Sequence, residues 1–212
     1  MTIAIFDLDK TITKFDTFIP FILYSVVSSK KFFTPCVTCL FWGLRLIFGL
    51  SSRKAAKEKF LLSVCRDGFT LDNLARRFVN WWGDAGIRSG FVQTLQYHRN
   101  LGHAVAIASA SPDLYVRYFA LKFAIPVVIA SPCTYSVGDH PLLLGIRQNL
   151  LGVNKLDAVR KLYPHEDIYF YSDSLDDLPL LENAEHGFIV NPSKRALRLI
   201  KDTNIGVLWW KG

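Results

Sequence analysis

Four cysteines in 212 residues, at positions 36, 39, 65 and 133, are too few and too irregularly spaced to frame a disulfide scaffold. Their scarcity excludes the small secreted classes and leads us to expect a reducing, cytoplasmic setting. Cys36-x-x-Cys39 invites a redox or zinc reading, but no second pair and no neighbouring His completes such a site, so small apolar filler is expected. Uninterrupted apolar runs of the roughly 20 residues needed to cross a bilayer are also missing. The run 15–27 is too short, and the run 32–50 is broken by Pro35 and Arg45. The chain has no repeat, no low-complexity tract and no nucleic-acid-binding motif. It opens directly on an apolar strand pattern, from which we expect no cleavable secretory signal. The five histidines, at 98, 103, 140, 165 and 186, show no cluster in the sequence and are assigned no chemistry.

Acidic residues are scarce in one stretch above all. Between positions 14 and 83 stand eleven Lys and Arg against four Asp and Glu, so this third of the chain carries the entire net charge of +7. It also holds both long apolar runs, in a sequence that is half hydrophobic. Basic charge interleaved with aromatic and aliphatic bulk suits an anionic membrane surface or a lipid headgroup, with a helix pair lying in the interface and split by residues 28–31. The plainer alternative is a packed helical unit with solvated lysines. Residues 53–66 read as a basic amphipathic helix, and Thr70 as the N-cap of a helix over 71–82 that puts Leu71, Leu74, Phe78, Val79 and Trp82 on one face.

Around this stretch the pattern alternates strand and helix. Short continuous apolar runs at 3–6, 104–108, 127–130, 168–171 and 188–190 suit buried parallel strands, a helix is expected over 112–123, and turn residues between 133 and 152 suggest a small β excursion. The expected fold is therefore α/β, a Rossmann-like parallel sheet with helices on both faces, formed by 1–13 and 84–212 and interrupted by an all-helical cap over 14–83. Such sheets place their sites at the carboxyl ends of the strands.

Four pieces stand at such ends. Asp7-Leu8-Asp9-Lys10-Thr11 closes the first strand with two carboxylates and a hydroxyl, a set that can supply a nucleophile, a proton carrier and ligands for a hard cation. Ser109-Ala110-Ser111-Pro112 follows the second strand, with Ser111 expected as an N-cap and Pro112 at the first helical position, so that free N–H groups would hold an anion. Lys155 opens a helix after the Gly152 turn. Asp173 ends a later strand, with Asp177 one helical turn on. Singly, each is compatible with an ordinary polar turn.

Together and in this order, they resemble the four motifs of the haloacid dehalogenase superfamily, and the early helical insertion is similar to the cap of its phosphoserine-phosphatase-like branch, subfamily IB. The resemblance implies a phosphatase in which Asp7 forms an aspartyl-phosphate and Asp9 serves as acid and base. It further implies Mg²⁺ held by Asp7, the Asp9 carbonyl and Asp173, with Ser109, Lys155 and Thr11 around the phosphate and Asp177 positioning Lys155 or a metal-bound water. Phosphoserine phosphatases carry Ser-Gly-Gly at the second motif and Glu at the cap entry, where this chain has Ser-Ala-Ser-Pro and Asp16, the residue we expect to bear on specificity. The Ser-Pro ending, the Tyr-Ser-Asp-Ser-x-x-Asp-x-Pro-Leu-Leu string and the aromatic, basic cap look more like the phosphatidylglycerophosphatase C group. The implied substrate is a phosphate monoester, on that resemblance a lipid phosphate met at the inner face of the membrane by a cytoplasmic, peripherally bound enzyme. A soluble small-metabolite phosphatase and a non-catalytic binding protein are the alternatives, and no nucleic-acid partner is expected. Trp209 and Trp210 are left open between an interfacial anchor and edge packing.

Overall fold

The computed structural model describes residues 1–29 and 33–211. Part of the expected break between the apolar runs falls on 30–32, and the Cys36 and Cys39 reading concerns side chains, all outside the described residues. Cys65 and Cys133 are free thiols.

Six strands form one parallel sheet in the order β3-β2-β1-β6-β7-β8: β1 Thr2–Phe6, β2 Ala104–Pro112, β3 Val127–Ser131, β6 Asp167–Ser172, β7 His186–Val190 and β8 Gly206–Leu208. Central β1 pairs with β2 on one side (Phe6 opposite Ile107) and with β6 on the other (Phe6 opposite Tyr171). The chain leaves β1 outward to β2 and β3 and returns on the opposite flank at β6, so the crevice at the end of β1 is the topological switch point where such sheets bind ligands. The strands read as unbroken apolar runs because both faces are covered. Ala4 and Phe6 face helices α5 (Ser89–Asn100) and α6 (Asp113–Lys122), and Ile3 and Ile5 face α7 (Val153–Leu162) and α8 (Leu178–Asn183). The short helix α9 (Lys194–Leu199) covers Ile189. The expected β excursion is a two-stranded hairpin, β4 Cys133–Tyr135 with β5 Leu143–Ile146.

Four helices stand between β1 and α5: α1 Phe18–Ser29, α2 Phe33–Ile47, α3 Arg53–Val64 and α4 Gly68–Trp82. The N-cap of α4 is Asp67, not Thr70: the Asp67 carboxylate accepts the Thr70 N–H at 2.7 Å and starts the helix three residues earlier than expected. Pro35 sits in the first turn of α2, where its missing N–H costs nothing. Among the described residues, no helix is long and apolar enough to cross a membrane. The helices leave exposed apolar stripes nonetheless, Ile19, Leu23 and Val27 on α1 and Val37, Leu40, Phe41, Leu44 and Ile47 on α2.

Of the two readings left open for the tryptophan pair, the structure gives edge packing to Trp210. Trp210 packs at the sheet edge on Tyr171 (centroids 5.8 Å apart) and over Gly90, while Trp209 is exposed. Three histidines that show no cluster in the sequence meet on one side of the sheet. The buried His98 ring has Nδ1 2.9 Å from His103 Nδ1 and Nε2 2.8 Å from the Tyr171 hydroxyl, and Tyr169 stacks on His186. Burial, aided by His103, pushes His98 down to about 4. A histidine with a lowered folded pKa binds its proton more readily in the unfolded chain, so stability present at neutral pH is lost as the pH falls from about 6.5 towards 4, by up to about 3 kcal/mol. Thermal melts of a His98→Phe chain should show a shallower acid limb over that window; an unchanged limb would assign acid sensitivity elsewhere.

Candidate active site

The ladder carries Asp7 one residue past β1, its N–H donating to the Tyr171 carbonyl at 2.9 Å. From there Leu8–Ile12 winds a single wide helical turn, reversed by Lys10 at φ 57°, a left-handed conformation rare for a side-chain-bearing residue and tolerated here at the head of the crevice. The Asp7 carboxylate is 6% exposed and lies 2.8 Å from Lys155 Nζ, which also donates to Asp177 Oδ2 at 2.7 Å. The Ser172 hydroxyl donates to the same Asp177 oxygen at 2.7 Å, and Asp177 Oδ1 is buried without a partner among the described residues. Burial raises the Asp7 carboxyl well above the ordinary range, opposed first by Lys155 and reinforced by Asp177, Asp9 and Asp173. Burial lowers the Lys155 pKa, and its carboxylate partners Asp177 and Asp7 outweigh that and hold it protonated.

Asp9 is built differently. Its side chain turns away from Lys155 and accepts the Thr17 N–H (2.6 Å) and hydroxyl (2.5 Å) on one oxygen and the Ser111 hydroxyl (2.6 Å) on the other. Burial and then Asp16 raise its carboxyl, while Ser111 and Thr17 hold it back. The two acids, with one residue between them, would share a face on an extended strand; they meet different partners because the chain leaves the strand for the turn 8–12 directly after Asp7. Thr17 immediately precedes α1, so the insertion itself positions the second acid.

Ser111 is not the N-cap that the sequence suggested: β2 runs on to Pro112, which takes the cap position, and the Ser111 hydroxyl is spent on Asp9. Ser109 is fully buried, accepts the Ser111 N–H at 3.1 Å and does not line the cavity. Thr11 is likewise away from the lining; it accepts the Asp173 N–H at 2.9 Å and fixes that turn instead of facing the crevice. Asp16 is exposed at the mouth, where it accepts the Phe18 N–H. The cavity has a volume of about 490 Å³ and includes Asp7, Asp9, Asp173 and Lys155. Its other wall is α3, through Arg53 and Lys57, which the sequence reading did not separate from the other basic residues.

Among the described residues, no three His, Cys, Asp or Glu side chains form a closed metal cage. The donor set still fits a hard divalent cation. Asp7 and Asp177 share the ammonium of Lys155, the Asp173 carboxylate has no hydrogen-bond or ion-pair partner among the described residues, and burial pushes it up to about 6, against Lys10 and with Asp177 and Asp9 adding to it. Carboxylates plus a main-chain carbonyl are the oxygen ligands that Mg²⁺ takes.

Comparison with known proteins places this geometry. Residues 4–182 match the family described as haloacid dehalogenase-like hydrolase. A probable phosphatase of Mycobacterium tuberculosis is 29% identical over 223 residues, covering 91% of this chain and 70% of the relative. A protein of unknown function from Bordetella pertussis shares the fold with a TM-score of 0.81 at 20% identity, over 98% of this chain and 99% of the other. A phosphoserine phosphatase solved as a phospho-aspartyl intermediate analogue gives 0.59 at 16% identity, over 97% and 92%.

Proposed function

The chain belongs to the haloacid dehalogenase-like hydrolase family, and from that premise we propose that it is a Mg²⁺-dependent phosphomonoesterase working through an aspartyl-phosphate on Asp7. The observation that carries the reading is the division of labour between the two acids. Asp7 is clamped by Lys155 at the end of β1, and Asp9, with a raised pKa, is held apart on Thr17 and Ser111. The Asp7 carboxylate attacks phosphorus and the ester P–O bond breaks. Asp9 gives its proton to the departing alcohol oxygen, then takes one from the water that hydrolyses the aspartyl-phosphate. Lys155 holds the phosphoryl oxygens, where charge builds in the transition state. Asp7, the Asp9 carbonyl and Asp173 would hold Mg²⁺, Asp177 fixes Lys155, and Thr11 braces the Asp173 turn. Bound there, the cation supplies positive charge against the phosphoryl oxygens. The M. tuberculosis relative named a probable phosphatase and the phospho-aspartyl structure support this reading.

We read 14–83 as a cap over the core of 1–13 and 84–212, and a lipid phosphate such as phosphatidylglycerophosphate as the substrate, with the cap on anionic membrane at the cytoplasmic face. The charge excess of the cap and the exposed stripes of α1 and α2 support this, with Ile47 78% and Phe48 71% exposed. Hydrolysis of p-nitrophenyl phosphate with Mg²⁺, lost on chelation, tests the chemistry; a panel of phosphoserine, sugar phosphates and the lipid tests the substrate. The chain should sediment with anionic vesicles at low salt, and Ile47→Glu with Phe48→Glu should release most of it. Undiminished sedimentation of that variant would remove the apolar stripe from the membrane reading.

A further inference from the structure

We propose that Lys57 of α3 selects the leaving group, by accepting into its reach an anionic oxygen on the alcohol side of the ester. The inference rests on the phosphatase reading above. Four cations line the cavity, and they stand in different states: Lys10 is exposed to solvent. Lys155 is paired with Asp7 and Asp177, and Arg53 lies 2.6 Å from Asp176 at the rim. Lys57 has no carboxylate at ion-pair distance among the described residues. Its Nζ instead donates to two neutral acceptors, the Ala110 carbonyl at 2.9 Å and Asn149 Oδ1 at 3.4 Å, and lies 5.8 Å from the Phe18 ring centre.

A half-buried ammonium left with neutral partners is under-compensated, and an incoming anion offsets the desolvation it has suffered. Burial accordingly lowers the Lys57 pKa, with Asp9 and Asp16 acting the other way. Position decides which part of a substrate it would meet. Ala110 precedes Ser111, whose hydroxyl holds Asp9, so Lys57 reaches the cavity beside the proton donor for the leaving oxygen. Asp7 and Lys155 are joined on the other side. The group read by Lys57 is therefore the alcohol and whatever charge it carries, either a carboxylate or a phosphodiester.

The test uses the full chain and three esters: glycerol 3-phosphate, with no anion beyond its phosphomonoester; 3-phosphoglycerate, which adds a carboxylate; and glycerophosphoglycerol phosphate, which adds a phosphodiester. Lys57→Met keeps the stem that packs near Phe18 and removes the charge. We expect the preference for an anionic over the neutral ester, as a ratio of kcat/KM, to fall about tenfold or more, chiefly through KM, and Lys57→Arg to restore most of it. Which anionic ester loses identifies the source of the charge. An equal loss on all three esters, as for a merely structural lysine, or no loss on any, overturns the proposal. If the native chain hydrolyses none of them and no p-nitrophenyl phosphate with Mg²⁺, the phosphatase reading fails by itself. Calorimetric binding of the same three esters to native and Lys57→Met chains then still scores Lys57, and binding that does not favour the anionic esters, or favours them equally in both chains, overturns it.

Discussion

An Asp7→Asn chain is expected to hydrolyse p-nitrophenyl phosphate at least ~10³-fold more slowly than the native protein while melting no lower. The two halves of that expectation have one cause. A carboxylate at position 7 is buried beside Asp177, Asp9 and Asp173, and only Lys155 offsets the burial and the repulsion. An amide keeps an oxygen that can accept from Lys155 and sheds the buried charge, so the fold loses little. The reaction loses its nucleophile outright, because a neutral amide does not form the acyl-phosphate. Steady-state kinetics and a thermal melt on the same preparation check both halves, and near-native turnover would remove Asp7 from the role of nucleophile. Activity and stability are opposed at this position, as they are wherever a reactive charge is held out of water.

Lys155→Met should produce the largest loss of stability in the molecule. Lys155 is 1% exposed and its ammonium bridges two buried carboxylates, of which Asp177 already leaves one oxygen unsatisfied. Removing one partner of a buried ion cluster typically costs about 3–5 kcal/mol, which in a domain of this size lowers the melting temperature by roughly 6–20 °C. The pH dependence has a definite sign. Without the ammonium that opposes its burial, Asp7 binds its proton still more readily in the folded chain than in the unfolded one, so the deficit is greatest near pH 7.5 and shrinks as the pH falls towards 5. Chemical denaturation at those two values measures it. A variant that unfolds like the native chain at pH 7.5 would show that the cluster does not hold the fold, and Mg²⁺ at the carboxylates should recover part of any loss.

The sheet was legible in the sequence because strands covered on both faces must be apolar throughout, and β1, β2, β3, β6 and β7 all announce themselves so. Three-residue β8 carries too little pattern, and α5 buries only Gly90, Phe91, Leu95 and His98, which masks its period. The acids were legible for a related reason: a carboxylate directly after an apolar strand stands out. Their partners do not. Thr17, Ser111 and Ser172 are ordinary hydroxyls until the fold brings them to Asp9 and Asp177, and nothing in the order of residues separates Lys57 from ten other basic residues of the same stretch. The histidine cluster is invisible for the same reason, since His186 reaches Tyr169 through strand register and His98 arrives from a helix on one face of the sheet.

The helical insertion leaves and re-enters the core at a single point. Thr13 bridges Ile87, the Lys14 N–H donates to the Gly86 carbonyl and the Arg88 N–H to the Ile12 carbonyl. In covalent terms the segment could be excised and the gap closed by a tight turn. Its side chains say otherwise, for Phe21 and Phe78 pack on Tyr115 of α6, Phe78 and Trp82 pack on Phe119, and one apolar cluster runs from these helices through to Ala4 and Phe6. A shortened chain would present Tyr115 and Phe119 to water and aggregate. A lineage seeking a new substrate would therefore have to revise α6 along with any helices it exchanged, so the sequence space open to this enzyme is narrower than its hairpin-like junction suggests.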